Sequence, residues 1–182
     1  MQMNKIGIIY SSVDGHTKKI SEHIKGLIEE HKIPVDLFSI SDFHGQIGDY
    51  KTLIIGSSIR YGIHGKVITK FIIDNKETLS SINTAFFSVN LVARKQEKNQ
   101  PETNPYMQKF IKSIDWTADI MDVFAGKLDY SIYSFFDKLM IRLIMKMTHG
   151  PTKTDGPIEY TDWDRVKLFA EKVVTSHKAL DS

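Results

Sequence analysis

The stretch Ile6-Gly7-Ile8-Ile9-Tyr10-Ser11-Ser12-Val13-Asp14-Gly15-His16-Thr17 constrains the fold more than any other part of the chain. An unbroken apolar run ends in small hydroxylic residues and a glycine, then passes straight into helical periodicity. Strand, tight polar loop and helix in that order aim a helix N-terminus and several free backbone N–H groups at one spot, which suits a phosphate. Such a loop after the first strand belongs to an open parallel sheet, whose ligands sit beyond the strand ends. The same order also serves a plain strand–helix turn that needs small residues for geometry alone. Neither Gly-Lys-Ser/Thr nor Gly-x-Gly-x-x-Gly is present, so this is no Walker loop and lacks the usual dinucleotide fingerprint. Asp14 sits awkwardly beside a dianion and is expected to turn aside or cap the helix.

Hydrophobic period switches repeatedly farther along. Lys5–Tyr10, Val35–Ser39, Thr52–Gly56, Asn83–Val89 and Ile120–Ala125 read as buried strands. Between them, 16–31, 66–76 and a segment beginning near Pro101–Pro105 read as amphipathic helices. A last helix follows Thr161 or Asp162, either of which can cap it, and runs to about His177. Alternation of this kind predicts an α/β fold, an open five-stranded parallel sheet with helices on both faces. The stretch of about thirty residues from 127 to 160 is an insertion between strand five and the final helix, where loops of a few residues are usual.

Size and composition are those of an ordinary globular domain: 182 residues, 41% hydrophobic and 25% charged, read as one domain over 1–182. There is no cysteine, which excludes disulfides, thiolate metal sites and cysteine nucleophiles. No signal-peptide pattern opens the chain, and no run approaches the roughly 18 apolar residues of a spanning helix. The expected location is the cytoplasm, with room for attachment to a membrane surface. A net charge of +2 gives no reason to expect nucleic acid as a partner.

Three loops leave the sheet at one edge: Ser12, Val13, Asp14, Gly15, His16 and Thr17; Ser57, Ser58, Ile59, Arg60, Tyr61 and Gly62; and Ser88, Val89, Asn90, Leu91, Val92, Ala93 and Arg94, followed by Lys95. Hydroxyls and amides in the first, a flat Tyr61 face in the second and glycines that allow close approach suit a planar ring with a phosphate tail. Ordinary surface loops are the alternative. None of the seven histidines forms a metal-binding pair, and no metal is expected. His64 is placed either for proton transfer or simply in solvent.

The loop order resembles flavodoxin, whose phosphate loop reads Ser/Thr-x-Thr-Gly-x-Thr; Ser12-Val13-Asp14-Gly15-His16-Thr17 matches it with Asp14 in place of a hydroxyl. Gly56–Gly62, Phe87–Lys95, Leu128–Tyr130, Met140–Met147 and Tyr160–Trp163 together resemble more closely the flavodoxin-like, quinone-dependent protoporphyrinogen IX dehydrogenases of bacterial haem synthesis. The resemblance covers nearly the whole chain. It implies an FMN enzyme that removes six electrons from protoporphyrinogen IX and passes them to menaquinone or ubiquinone. Ser12–Thr17 would then hold the FMN phosphate, and Ser57–Gly62 with Ser88–Arg94 would border the ring. Arg60, Arg94, Lys95 and Lys98 become candidates for pairing with substrate carboxylates. An NAD(P)H-fed quinone reductase and a soluble electron carrier are the alternatives.

Within the insertion, Lys138, Arg142 and Lys146 recur every four residues, opposite Phe136, Leu139, Met140, Leu143, Ile144 and Met147. That pattern fits a helix lying on an anionic membrane, a helix packed on its own core, or a partner interface. A bilayer-dissolved quinone favours the first, with the chain attached peripherally to the cytoplasmic side of the inner (plasma) membrane. Removal of about 128–155 is expected to spare FMN binding while abolishing quinone-linked turnover.

Overall fold

The computed structural model describes residues 3–180. Strands β1 (Met3–Ser11), β2 (Val35–Ser39), β3 (Tyr50–Arg60), β5 (Asn83–Val89) and β6 (Ile120–Phe124) form a parallel sheet in the order β2-β1-β3-β5-β6. Helices α1 (His16–Glu29), α2 (Lys66–Asp74), α4 (Pro105–Ile114) and α6 (Trp163–Ala179) cover it, with the short α3 (Lys76–Leu79) following α2. This is the open five-stranded parallel sheet, covered on both faces, that the alternating periods predict, in the flavodoxin-like form that the loop resemblance implies.

Strand geometry sends successive side chains to opposite faces, and the sheet is buried on both. Ile8, Ile54 and Phe87 face one layer, where Ile20, Ile24 and Ile28 of α1 meet Val166, Phe169 and Val173 of α6. Ile9, Ile55 and Phe86 face the other, against Ile68 and Ile72 of α2 and Met107, Phe110 and Ile114 of α4. The three α1 isoleucines are fully buried, each worth about 1.5–3 kcal/mol relative to exposure.

The third strand is longer than its apolar core. Ser57 pairs with Ser11 and Ser88, and Ser58 pairs with Val89, so residues read as loop continue the sheet. β3 then turns back into β4 (Ile63–His64) through Tyr61 and Gly62, both left-handed at φ 51° and 78°. Positive φ at both central residues fits the right-handed twist of a two-residue hairpin. Glycine adopts it freely, while Tyr61 does so at a steric cost of about 1–2 kcal/mol.

The insertion has its own small core. Strands β7 (Lys127–Leu128) and β8 (Ile158–Glu159) pair antiparallel at its base and carry α5 (Phe135–Met147) between them. Leu128, Tyr130, Tyr133 and Met145 pack together, with Leu91, Ile141 and Tyr160 against them. The inward face of α5 therefore centres on Met145 and Ile141, while Ile144 is half-buried beside the neighbouring cleft rather than in the exposed apolar arc.

Candidate functional site

All three sheet-edge loops border one cleft of about 810 Å³, partly open to solvent. At one end lies the head of α1. Its N-cap is Gly15 at φ 80°, and no side chain caps the first-turn amides. By contrast, Asn104, Ser134 and Asp162 cap α4, α5 and α6. Beside those free amides, the Ser12 hydroxyl is buried with no hydrogen-bond partner. A buried unpaired hydroxyl costs about 1–3 kcal/mol, which an arriving acceptor relieves. Ser12, Asp14, His16 and Thr17 line this end.

Asp14 does not cap the helix. It turns toward Arg60, with Nη2 3.8 Å from Oδ1, while burial raises its carboxyl above the usual range. His16 is 9% exposed and donates from Nε2 to the Thr161 hydroxyl at 2.6 Å, because that hydroxyl itself donates to the Ala125 carbonyl. The loop is thereby tied to the end of β6. Thr161 is spent there, and Asp162 alone caps α6.

Ser58, Ile59, Arg60, Tyr61 and Gly62 form the second border, and Val89, Asn90, Leu91 and Val92 the third. Asn90 Oδ1 accepts from Ala93 N at 3.0 Å and from Asn104 Nδ2 at 3.2 Å, which fixes the loop against the cap of α4. The other expected positions lie outside the lining: Val13 is exposed, Gly15 lies beside the cleft, and Ser57, Ser88 and Ala93 are buried beneath it. Arg94 turns away and donates to Leu91 O, Thr148 O and Thr148 Oγ1, which ties its loop to the end of α5. Lys95, Lys138, Arg142 and Lys146 do not line the cleft either.

The insertion supplies the remaining wall, through Lys127, Tyr133, Ile141 and Ile144. Its removal would strip that wall, so the expectation that 128–155 is separable from cofactor binding is revised. Arg60 bridges the two sides: Nη2 lies 3.0 Å from Asp137 Oδ2 on α5, and the Tyr61 hydroxyl donates to the same carboxylate. We expect Asp137→Asn to accelerate proteolytic cleavage across 131–150 several-fold, while the global unfolding free energy shifts by no more than about 1 kcal/mol, as for a partly exposed pair. Unchanged cleavage would remove Asp137 as the latch.

A flavodoxin-domain family profile matches residues 7–155. A protoporphyrinogen IX dehydrogenase [quinone] from Leishmania major is 41% identical over 171 residues, covering 93% of this chain and 74% of the relative. One from Escherichia coli K12 is 39% identical over 167 residues, covering 91% and 92%. The chain belongs to the flavodoxin-domain protoporphyrinogen IX dehydrogenase [quinone] family. An archaeal flavodoxin structure superposes with a TM-score of 0.53 at 17% identity, covering 96% of this chain and 99% of its own. Rubredoxin oxygen:oxidoreductase from Desulfovibrio gigas gives 0.56 at 12%, covering 98% of this chain and 37% of its own; both likenesses speak to fold alone.

In this member of the dehydrogenase family, sequence reading passed over Tyr106, Gly126, Lys127, Tyr133 and Ile141, all of which line the cleft. The apolar spacing that placed α5 on a surface also contained its inward residues, but nothing in the pattern said which loop they would face.

His64 is neither solvated nor poised at the cleft. It is 5% exposed, bonded through Nε2 to Ser88 Oγ at 3.0 Å and packed 4.1 Å from the Phe110 ring centroid. Burial pushes its pKa down to about 3, against about 6.5 in an unfolded chain. Below pH 6.5 the unfolded state takes up a proton that the folded state refuses. Stability is therefore intact above pH 6.5 and falls as pH drops toward 3, by up to about 1.4 kcal/mol per unit. Denaturation midpoints between pH 7 and 4.5 should decline more steeply in the wild type than in His64→Gln; parallel slopes would refute this.

Proposed function

We propose that the chain is an FMN-dependent dehydrogenase that oxidises protoporphyrinogen IX to protoporphyrin IX and reduces a membrane quinone. Six electrons and six protons leave the tetrapyrrole over three two-electron steps, and three quinones depart as quinols. The observation that carries the cofactor is the unpaired, buried Ser12 hydroxyl beside the uncapped head of α1. The residues fit the group: Ser12, Thr17 and the first-turn amides would hold a phosphate, while Tyr61, Leu91, Tyr106 and Tyr133 give the cleft flat and apolar walls for a ring. Substrate and acceptor rest on the names of the relatives, which are about 40% identical over most of their length.

Bound FMN supplies two-electron redox chemistry between porphyrinogen and quinone. The protein's contribution is seating and exclusion of water. The left-handed Tyr61–Gly62 turn fixes one edge of the cleft, Asn90 braces another, and Tyr133, Ile141 and Ile144 close the third side. Arg60, held by Asp14 and Asp137, keeps a positive charge at the cleft without being free to swing. His64 is buried, bonded to Ser88 and absent from the lining of this cleft.

The outer face of α5 supports docking on an anionic membrane at its cytoplasmic side. Phe135 and Phe136 are 77% and 76% exposed, and Leu139, Leu143 and Met147 continue the patch. Lys138, Arg142 and Lys146 supply the cations for lipid head groups. Among the described residues no helix is long and apolar enough to cross a membrane. Phe135→Ser with Phe136→Ser should lower partitioning onto phosphatidylglycerol vesicles by about 100-fold or more, since each buried ring contributes about 1.5–3 kcal/mol. Vesicle sedimentation at unchanged FMN content reads this out, and undiminished binding would exclude α5 as the contact.

The function itself is tested by mixing FMN-loaded protein anaerobically with protoporphyrinogen IX or with NADPH. Rapid loss of flavin colour with the porphyrinogen and restoration by a quinone are expected. Bleaching by NADPH alone would favour a general quinone reductase, and bleaching by neither would leave an electron carrier or scaffold.

A further inference from the structure

A second groove lies immediately beside the flavin cleft, between the β3–β4 turn and α4. Gly62 and Tyr106 line both, so the two spaces adjoin across a shared wall. The partition is thin: a side chain at Gly62 would place its first carbon 3.2 Å from Tyr106 Cε1. Ile63, Tyr106 and the Phe110 ring give the groove an apolar floor, and Ile63 is 51% exposed. Lys66 and Lys109 stand at its rim, and no Asp or Glu lines it. Neither lysine makes an ion pair or hydrogen bond among the described residues, although Lys70, one turn beyond Lys66, pairs with Asp74.

We propose that this groove seats the carboxylate-bearing edge of the tetrapyrrole, with Lys66 and Lys109 as its specificity-determining cations; the proposal rests on the function given above. A porphyrinogen carries two carboxylates on a ring that is apolar apart from its pyrrole N–H groups, so it suits an apolar shelf beside the cleft that ends in cations. The groove has both features. The other cations near the site are occupied or lie outside the cleft lining: Arg60 is held by Asp14 and Asp137, Arg94 by Thr148 and Lys127 by Asp129, while Lys95, Lys98, Lys138, Arg142 and Lys146 do not line the cleft. Exposed lysine–carboxylate pairs are individually weak, so both must be changed to produce a clear effect.

The test compares protoporphyrin IX with its dimethyl ester, binding to wild-type and to Lys66→Gln/Lys109→Gln protein, with and without FMN, by absorbance titration. The double variant should lose about tenfold in affinity for the diacid and nothing for the diester, at unchanged FMN affinity. In turnover, KM for the porphyrinogen should rise by more than kcat falls. Equal shifts for acid and ester, or no shift, would overturn the proposal. So would the same acid-selective loss in Lys138→Gln/Arg142→Gln/Lys146→Gln, which would move the carboxylates to α5. Wild-type protein that oxidises porphyrinogen while the double variant binds the diacid normally refutes the groove alone. Wild-type protein that neither binds nor oxidises the tetrapyrrole refutes the function as well.

Discussion

Ser12→Ala should weaken FMN binding about 10- to 100-fold and leave the apoprotein as stable as before, or about 1 kcal/mol more stable. The two effects have opposite signs because they act on different states. Without ligand, the Ser12 hydroxyl is buried and unpartnered, and deleting such a group removes a desolvation penalty of about 1–3 kcal/mol. With ligand, the same hydroxyl donates to an anionic oxygen, a charge-assisted bond worth about 1.5–3 kcal/mol. A generally damaging substitution would lower both quantities. Fluorescence titration with FMN, paired with thermal melts of the apoprotein, separates the cases; unaltered affinity would mean that Ser12 does not touch the cofactor.

The largest effect on the fold is expected at Gly56. This glycine lies in the centre of β3, opposite Phe87 on β5, and the Phe87 ring folds across the space where a side chain would stand. An added Cβ would come 2.3 Å from Phe87 Cζ, with two further ring carbons inside 3.0 Å. The ring has nowhere to go: it is fully buried and packs on Phe124 and Phe169 at centroid distances of 5.5 and 5.9 Å. Gly56→Ala should therefore cost about 3 kcal/mol, the upper part of the range for overpacking a tight core. Equilibrium denaturation measures it directly. Since Ser57 and Ser58 continue the same strand to the cleft, FMN affinity should fall as well. A loss below about 0.5 kcal/mol would show that the aromatic cluster yields more readily than its packing indicates.

Much of this architecture is legible in the chain because burial on both faces of a parallel sheet leaves continuous apolar runs, such as Ile6–Ile9 and Thr84–Val89. The start of the last helix was legible because Thr161-Asp162 marks it, and Asp162 is the residue that caps it, whereas Asn104, the cap of α4, went unread beside Pro101 and Pro105. Strand three was read too short because its last residues, Ser57 to Arg60, are held by neighbouring strands rather than by their own hydrophobicity. The end of the cleft at the head of α1 could be read because its features are local: hydroxyl, glycine and helix head follow one another in sequence. The far wall could not. Tyr106, Tyr133 and Ile141 come from segments distant in the chain, and periodicity shows that they are inward without showing what they face. Arg94 illustrates the converse: a cation beside a site in sequence is turned by Thr148, fifty-four positions away, onto a carbonyl and a hydroxyl instead.

The most direct test of the cofactor site compares FMN with riboflavin on the same apoprotein by equilibrium dialysis, because the two differ only in the phosphate. If the amides at the head of α1 and the Ser12 hydroxyl grip that group, FMN should bind at least a hundredfold more tightly, and raising the ionic strength should narrow the gap. Equal retention of the two flavins, or of neither, would contradict the assignment of Ser12–Thr17 as the anchor on which the rest of the site is built.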